Sequence, residues 1–357
     1  MFKKILVFGI TLLFFGVNTF SFVSSSKISE IQTATFTETG NNSYIVDDEG
    51  DGNFTTIQDA IDNASIGDII LVYSGNYSGS ISINKTISII GIDEEYITGN
   101  DTGNPHIWGG GAYIKHASAV LFSNFSLGGI PDIDKISLEY TNDSIISNCS
   151  ADYLLLDNSN ENTIKNCEFN AKFDSFAGIN LLLSSNNLIS NNVCSGGAAE
   201  TNYNTGICLQ SSDDNQLLNN TCMAEDSINS KGIDQAIYIF SSEGNTINGN
   251  ICWQSDIGIK LEGSDNNYVS RNDITMNKNN GILLLKSNNN QIAQNNFIDN
   301  PEHASFKKCK GTTWSENYWD DLKFSPKLIF GTTGPLFGLI PWFNIDWRPT
   351  TVPNSDL

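Results

Sequence analysis

The sequence predicts an all-β solenoid, a parallel β-helix, on three observations. A seventeen-residue motif recurs seven times, its aliphatic columns are spaced two residues apart, and asparagine is in excess at the turns between them. The motif reads Gly-Ile-x-Leu-x-x-Ser-x-x-Asn-x-Ile-x-x-Asn-x-apolar. Clear copies begin at Gly178, Gly206, Ala236, Gly258 and Gly281, and looser ones at Lys135 and Tyr153. A repeat of this length is one supersecondary unit that cannot bury its own apolar face and must stack on its neighbours.

The columns predict the elements. Ile136, Leu154, Ile179, Ile207, Ile237, Ile259 and Ile282 form one column, and Leu138, Leu156, Leu181, Leu209, Ile239, Leu261 and Leu284 another two residues on. Period two on short segments means strands with one face inward. A second strand carries Ile146, Ile164, Ile189, Leu217, Ile247, Val269 and Ile292, and Ala151, Phe169, Cys194, Cys222, Cys252, Ile274 and Phe297 mark the next inward position. Between the strands stand a serine column (Ser159, Ser184, Ser212, Ser242, Ser264, Ser287) and an asparagine column (Asn192, Asn220, Asn250, Asn272, Asn295). Asparagine tolerates left-handed turn geometry, and its amide can bond to the same amide one coil away. This accounts for 31 of the 46 asparagines falling between positions 151 and 300.

Successive copies start 18, 25, 28, 30, 22 and 23 residues apart, while the motif keeps its length. All the variation therefore falls in one connection, residues 170–177, 195–205, 223–235, 253–257 and 275–280, and stacking puts every long loop on one flank. Loops on a rigid scaffold are where binding usually resides. Residues 44 to 300 would make on the order of eleven coils and a rod of roughly 50 Å at strand spacing.

Composition sets the partner classes. Against 19 Lys and Arg stand 40 Asp and Glu, a formal charge of −21, and the only arginines are Arg271 and Arg348. Nucleic acid is disfavoured, because binding its backbone needs clustered basic residues. Lys3 and Lys4 precede the apolar run Ile5–Phe15 and the small residues ending at Ser26, the layout of a secretory signal. We expect a signal over 1–25, a linker over 26–43 and one β-helix domain over 44–350, outside the cytoplasm. An uncleaved anchor is the alternative, and no other stretch qualifies as a membrane span. Ten Asn-x-Ser/Thr sequons, from Asn41 to Asn219, make glycosylation an expectation for an exported chain.

The ends of the solenoid need covers. Thr55 with Gln58 reads as a capping box, followed by Ile57, Ala60, Ile61 and Ala64 on one face of a short helix, which makes 44–67 the N-terminal cap. The regular repeats fill 135–300. Trp314, Tyr318, Trp319, Trp342 and Trp347 follow them, and a terminal cap over 301–350 is preferred to a sugar-stacking platform.

The repeat, together with YIVDDEGDGNFTTIQDAIDNASIGDIILVYSGNYSGSISINKTISIIG at 44–91, resembles the pectin-lyase-like right-handed β-helices, most closely the NosD-like and carbohydrate-binding/sugar-hydrolysis group of exported proteins. The resemblance covers about residues 44 to 350. It implies three kinds of function: a glycan-binding or structural surface module, a polysaccharide lyase or hydrolase, and a copper-site accessory protein.

For catalysis the candidates are Asp234, Asp256, Lys260 and Arg271. A lyase needs a base for the sugar α-proton, and a hydrolase needs two carboxyls across a groove. The outward columns (Asn180, Cys208, Tyr238, Lys260, Leu283; Leu182, Gln210, Phe240, Glu262, Leu285) repeat no acidic pair, which favours a binding module over an enzyme. Glu225, Asp226, Tyr238 and Trp253, beside the 195–205 and 223–235 loops, are the candidate carbohydrate-binding residues, with a polysaccharide or cell-surface glycan as partner. Asp47, Glu49 and Asp51 in a D-x-E-x-D-G run would suit calcium, the one cofactor the sequence suggests, although a solvated turn is the preferred reading. The seven cysteines are expected as buried free thiols. The scattered His106, His116 and His303 show no copper-ligand spacing.

Overall fold

The structure is a computed structural model, and it describes residues 42–129, 134–171, 177–196, 205–224, 234–333 and 340–354. It is a parallel β-helix, as the columns predict, of the right-handed kind that the resemblance implies. Each coil contributes a long strand, a short strand and a third strand, for example Ile257–Glu262, Tyr268–Ser270 and Asp273–Thr275. The long and short strands belong to one 24-stranded sheet and the third strands form an 11-stranded sheet. Before the repeats, residues 93–105 join the short strand Ser88–Ile92 to the third strand His106–Trp108; within the repeats, the connections of variable length all run from a third strand to the next long strand. Their longest members, 172–176, 197–204 and 225–233, lie outside the described residues, as do the expected signal and most of the linker. Among the described residues no helix is long and apolar enough to cross a membrane.

The predicted register holds residue for residue. Ile207, Ile237, Ile259 and Ile282 pair in sequence, as do Leu209, Ile239, Leu261 and Leu284, and all are fully buried. Polar ladders run beside this apolar stack. From Ser184 to Ser287 each serine Oγ of the column accepts the N–H of the serine one coil before, as Ser242 Oγ does from Ser212 at 3.0 Å, and Ser242 Oγ donates to the carbonyl two residues back. The asparagine column works the same way. Asn250 Oδ1 accepts from the Asn220 N–H at 2.9 Å and from its Nδ2 at 3.0 Å, while Asn250 Nδ2 donates to Leu217 O at 2.9 Å and Asn272 Oδ1 at 3.0 Å. A parallel ladder starts at Asn162 and runs through Asn187, Asn215, Asn245 and Asn267.

One expectation divides in two. The ladder asparagines are not the left-handed residues. Those stand one position earlier: Asn191 (φ 54°), Asn219 (55°), Gly249 (69°), Arg271 (53°) and Gln294 (57°). The turn needs a positive φ at one site and a side-chain amide at the next, and only the amide site is confined to asparagine in the coils from Asn192 to Asn317. Cys149 and Cys167 head this ladder, and it ends on Asp346, whose Oδ2 accepts from Asn317 N–H, Asn317 Nδ2 and Trp319 Nε1.

The caps differ in detail from the expectation. The helix spans Ile57–Asn63 and buries Ile57, Ala60 and Ile61, but its N-cap is Thr56, whose Oγ1 accepts from Asp59 N–H at 3.2 Å. Gln58 is instead drawn to the next layer, where its Oε1 accepts from Ser82 N–H at 2.8 Å, so the box sits one residue later than Thr55/Gln58. At the other end Trp314 and Trp319 are buried, with Trp319 stacked on Phe297 at 4.3 Å. Trp342 and Trp347, expected in the same cap, are 54% and 69% exposed. Among the described residues, the antiparallel hairpin of Lys327–Thr333 and Ile340–Asp346 pairs with earlier strands only at Gly331, Thr332 and Asp346, and Phe330 and Trp342 on it are exposed. All seven cysteines are buried and free, as expected.

Candidate functional site

Parallel register places equivalent outward residues of the long strands side by side, so this face can be built coil by coil. Tyr238 pairs with Lys260 and then Leu283, and Phe240 pairs with Glu262 and then Leu285. Lys260 Nζ lies 4.5 Å from the Tyr238 ring centroid and 2.9 Å from Glu262 Oε2. Tyr238 OH donates to the same Oε2 at 3.0 Å. The three side chains form one closed set, with Lys260 only 12% exposed. Burial alone would raise the Glu262 carboxyl, but the hydrogen bonds from Lys260 and Tyr238 outweigh it and hold the group below the ordinary glutamate range.

A second tyrosine–lysine group lies on this face nearer the N-terminus. Lys135 Nζ sits between the Tyr113 and Tyr153 rings at 5.6 and 5.4 Å, and Lys115 Nζ reaches Glu139 Oε2 at 2.6 Å. Sequence reasoning missed Glu262 and all of the second group. The Tyr238/Lys260 alignment already contained the first signal. The second group joins Lys135, Glu139 and Tyr153 of the two looser copies to Tyr113 and Lys115 on Ala112–Lys115, a strand before the first copy.

The predicted site residues do not converge. Asp234 and Asp256 meet at the corner before the long strands, where Asp234 N–H donates to Asp256 Oδ2 at 3.2 Å. Lys260 belongs to the tyrosine–glutamate set. Arg271 occupies the left-handed turn between a short and a third strand, and its Nε donates to Gln294 Oε1 at 3.0 Å. Trp253 is half-buried on a third strand between Met223 and Thr275. Glu225 and Asp226 lie outside the described residues.

Among the described residues three groups could offer ligand atoms to a metal: Asp47, Asp48 and Glu49; Glu49, Glu95 and Asp101; and His303, Asp320 and Asp321. The first two include Asp47 and Glu49 of the predicted calcium run, whereas Asp51 Oδ2 accepts from Thr98 N–H at 3.0 Å. A hydrogen bond with Asp48 pushes the Glu49 carboxyl up to about 7. The third group brings one of the scattered histidines against two carboxylates. His303 Nε2 is 2.7 Å from Asp320 Oδ1 and 3.4 Å from Asp321 Oδ1. Its sequence neighbours gave no sign of this, because the aspartates arrive one coil later. Lys327 Nζ already neutralises Asp321, 2.6 Å from Oδ2. None of these groups includes a cysteine. Burial pushes the Cys208 thiol up to about 12 and raises Cys222 and Cys252 as well, which disfavours the thiolates a metal would need, and no cysteine joins His303.

Residues 202–324 match the family model described as periplasmic copper-binding protein (NosD). No curated protein matches the chain in sequence. Among solved structures, the A-module of the mannuronan C-5 epimerase AlgE6 from Azotobacter vinelandii is similar with a TM-score of 0.57 and 16% identity, covering 78% of this chain and 82% of that one. The A-module of the mannuronan C-5 epimerase AlgE4 from the same organism gives 0.52 and 14%, covering 73% and 82%. By fold, then, this chain is a parallel β-helix, and its segment over 202–324 is similar to the NosD family.

Proposed function

We propose that the protein is an extracytoplasmic surface module that binds a polysaccharide across the outward face of its long strands. The observation that carries this reading is the Tyr238–Lys260–Glu262 set. An aromatic face can stack on the apolar side of a sugar ring, and a neutralised lysine–glutamate pair beside it can exchange hydrogen bonds with hydroxyl groups. Leu283 and Leu285 in the next coil extend the apolar part of the surface. The similarity in fold to proteins named for mannuronan supports a glycan as the ligand class. A copper role suggested by the family description has no supporting donor set among the described residues.

A glycan array spanning mannuronan and neutral glucans tests this. Binding is expected for the intact protein, and Tyr238→Ala is expected to weaken it roughly tenfold, the loss of one stacked aromatic contact. An array without hits, or equal binding by Tyr238→Ala, would overturn the reading. Release of unsaturated or epimerised sugar would replace it with catalysis.

A further inference from the structure

The loop after the first strand and the connection between Ile92 and His106 meet at the N-terminal end of the solenoid, and both are acidic. Asp47, Asp48 and Glu49 each offer a carboxylate oxygen within 4.8 Å of the other two, and so do Glu49, Glu95 and Asp101, which makes Glu49 common to both sets. The carboxylates are braced from behind by backbone N–H groups. Asp47 Oδ2 accepts from Asp51 at 3.0 Å, Asp48 Oδ2 from Asn76 at 2.9 Å, and Glu95 from Tyr96 at 2.9 Å and Asp101 at 3.1 Å. The opposite oxygens of the two aspartates are the notable ones. Asp47 is fully buried and its Oδ1 has no hydrogen-bond partner, and Asp48 Oδ1 is equally enclosed and unpartnered.

Two glycines hold this arrangement open. A Cβ at Gly75 would collide with the Asp48 carboxylate, and one at Gly99 with Glu95 Oε2 and Glu49 Oε1. Among the described residues no lysine, arginine or histidine forms an ion pair with any of the five acids. A buried carboxylate oxygen with neither a counter-charge nor a donor, such as Asp47 Oδ1, is costly, and a cluster made only of oxygen ligands suits a hard divalent cation.

We propose that Asp47, Asp48, Glu49, Glu95 and Asp101 form a calcium site that ties the first turn of the solenoid to the 93–105 connection. Asp47 and Glu49 come from the D-x-E-x-D-G run. Asp48, Glu95 and Asp101 replace Asp51, which braces the site through Asp47 Oδ2 and Thr98. Calcium accepts the irregular, many-oxygen geometry that such loops supply, whereas magnesium demands a near-ideal octahedron.

Calorimetric titration of calcium into the metal-free full chain, with no glycan present, tests the site apart from polysaccharide binding. Saturable calcium binding is expected, with magnesium weaker by roughly tenfold or more. The unfolding temperature should rise with calcium concentration, because the ion binds only the folded state. Glu49→Gln and Glu95→Gln should each weaken calcium binding by about tenfold or more, as ligand charge is lost. Their calcium-free unfolding temperatures should equal or exceed that of the parent, because repulsion among the acids is relieved. No calcium heat and no calcium-dependent shift in unfolding temperature at millimolar levels would overturn the proposal, as would unchanged binding by both variants.

Discussion

The two sides of the long-strand sheet obey different rules. Inward, the coils from Gly206 to Gly281 present Ile207, Ile237, Ile259 and Ile282 in one column without exception. Outward, one residue later, the same coils present Cys208, Tyr238, Lys260 and Leu283. Stacking explains the first series completely, because an inward side chain must fit the coils above and below it. It places no such demand on the second, so a constellation that appears once, such as Tyr238 with Lys260 and Glu262, is free to serve recognition. What repeats in this molecule builds the rod, and what does not repeat is where chemistry can differ between coils.

Substitutions on the two sides should separate accordingly. The largest effect is expected inside. Asn250→Ala removes the acceptor for Asn220 N–H and the donor to Leu217 O in a fully buried ladder, and should lower the unfolding free energy by about 3 kcal/mol in denaturant titration. A loss as small as that of a surface change would show that the ladder is ornament. A smaller effect is expected at the outward ion pair. The Glu262 carboxyl is depressed in the folded state, so it contributes stability above the ordinary glutamate value of 4.5, and that contribution is lost as pH falls through the depressed folded value. Glu262→Gln should cost no more than about 1 kcal/mol at neutral pH and remove that part of the acid dependence, as measured by unfolding at stepped pH. The smallest is Arg271→Ala, whose exposed side chain bonds to Gln294. It should shift stability by less than about 0.5 kcal/mol and leave glycan binding unchanged. If it abolished binding, the recognition face would have to include the corner between the short and third strands.

The rod was legible because its determinants are local and repeated. The glycine-to-asparagine spacing, the two aliphatic columns and the serine column each predict one feature of every coil, and the observed register matches all of them. The left-handed turn position was harder to read because it accepts glycine, arginine and glutamine as well as asparagine, so no single residue type marks it. The capping box moved by one residue because Gln58 found a partner in the neighbouring layer, at Ser82. Trp342 and Trp347 looked like cap residues by composition, yet the hairpin carrying them pairs with earlier strands at too few positions to bury them.

For sites the balance reverses. The sequence brought Tyr238 and Lys260 to one face through the repeat alignment, and it nominated Asp47 and Glu49 from their own short run. By itself it determined the solenoid and its inward columns, because stacking makes those properties a matter of position within one coil; Cys208 stands in an outward column and is nonetheless buried. Only the tertiary structure decided that Arg271 stands apart from Lys260, that Glu95 and Asp101 join Asp47, Asp48 and Glu49, and that His303 meets Asp320. Those encounters depend on corners and connections of unequal length, where the distance between two side chains is set by the path of the chain and by no repeating pattern.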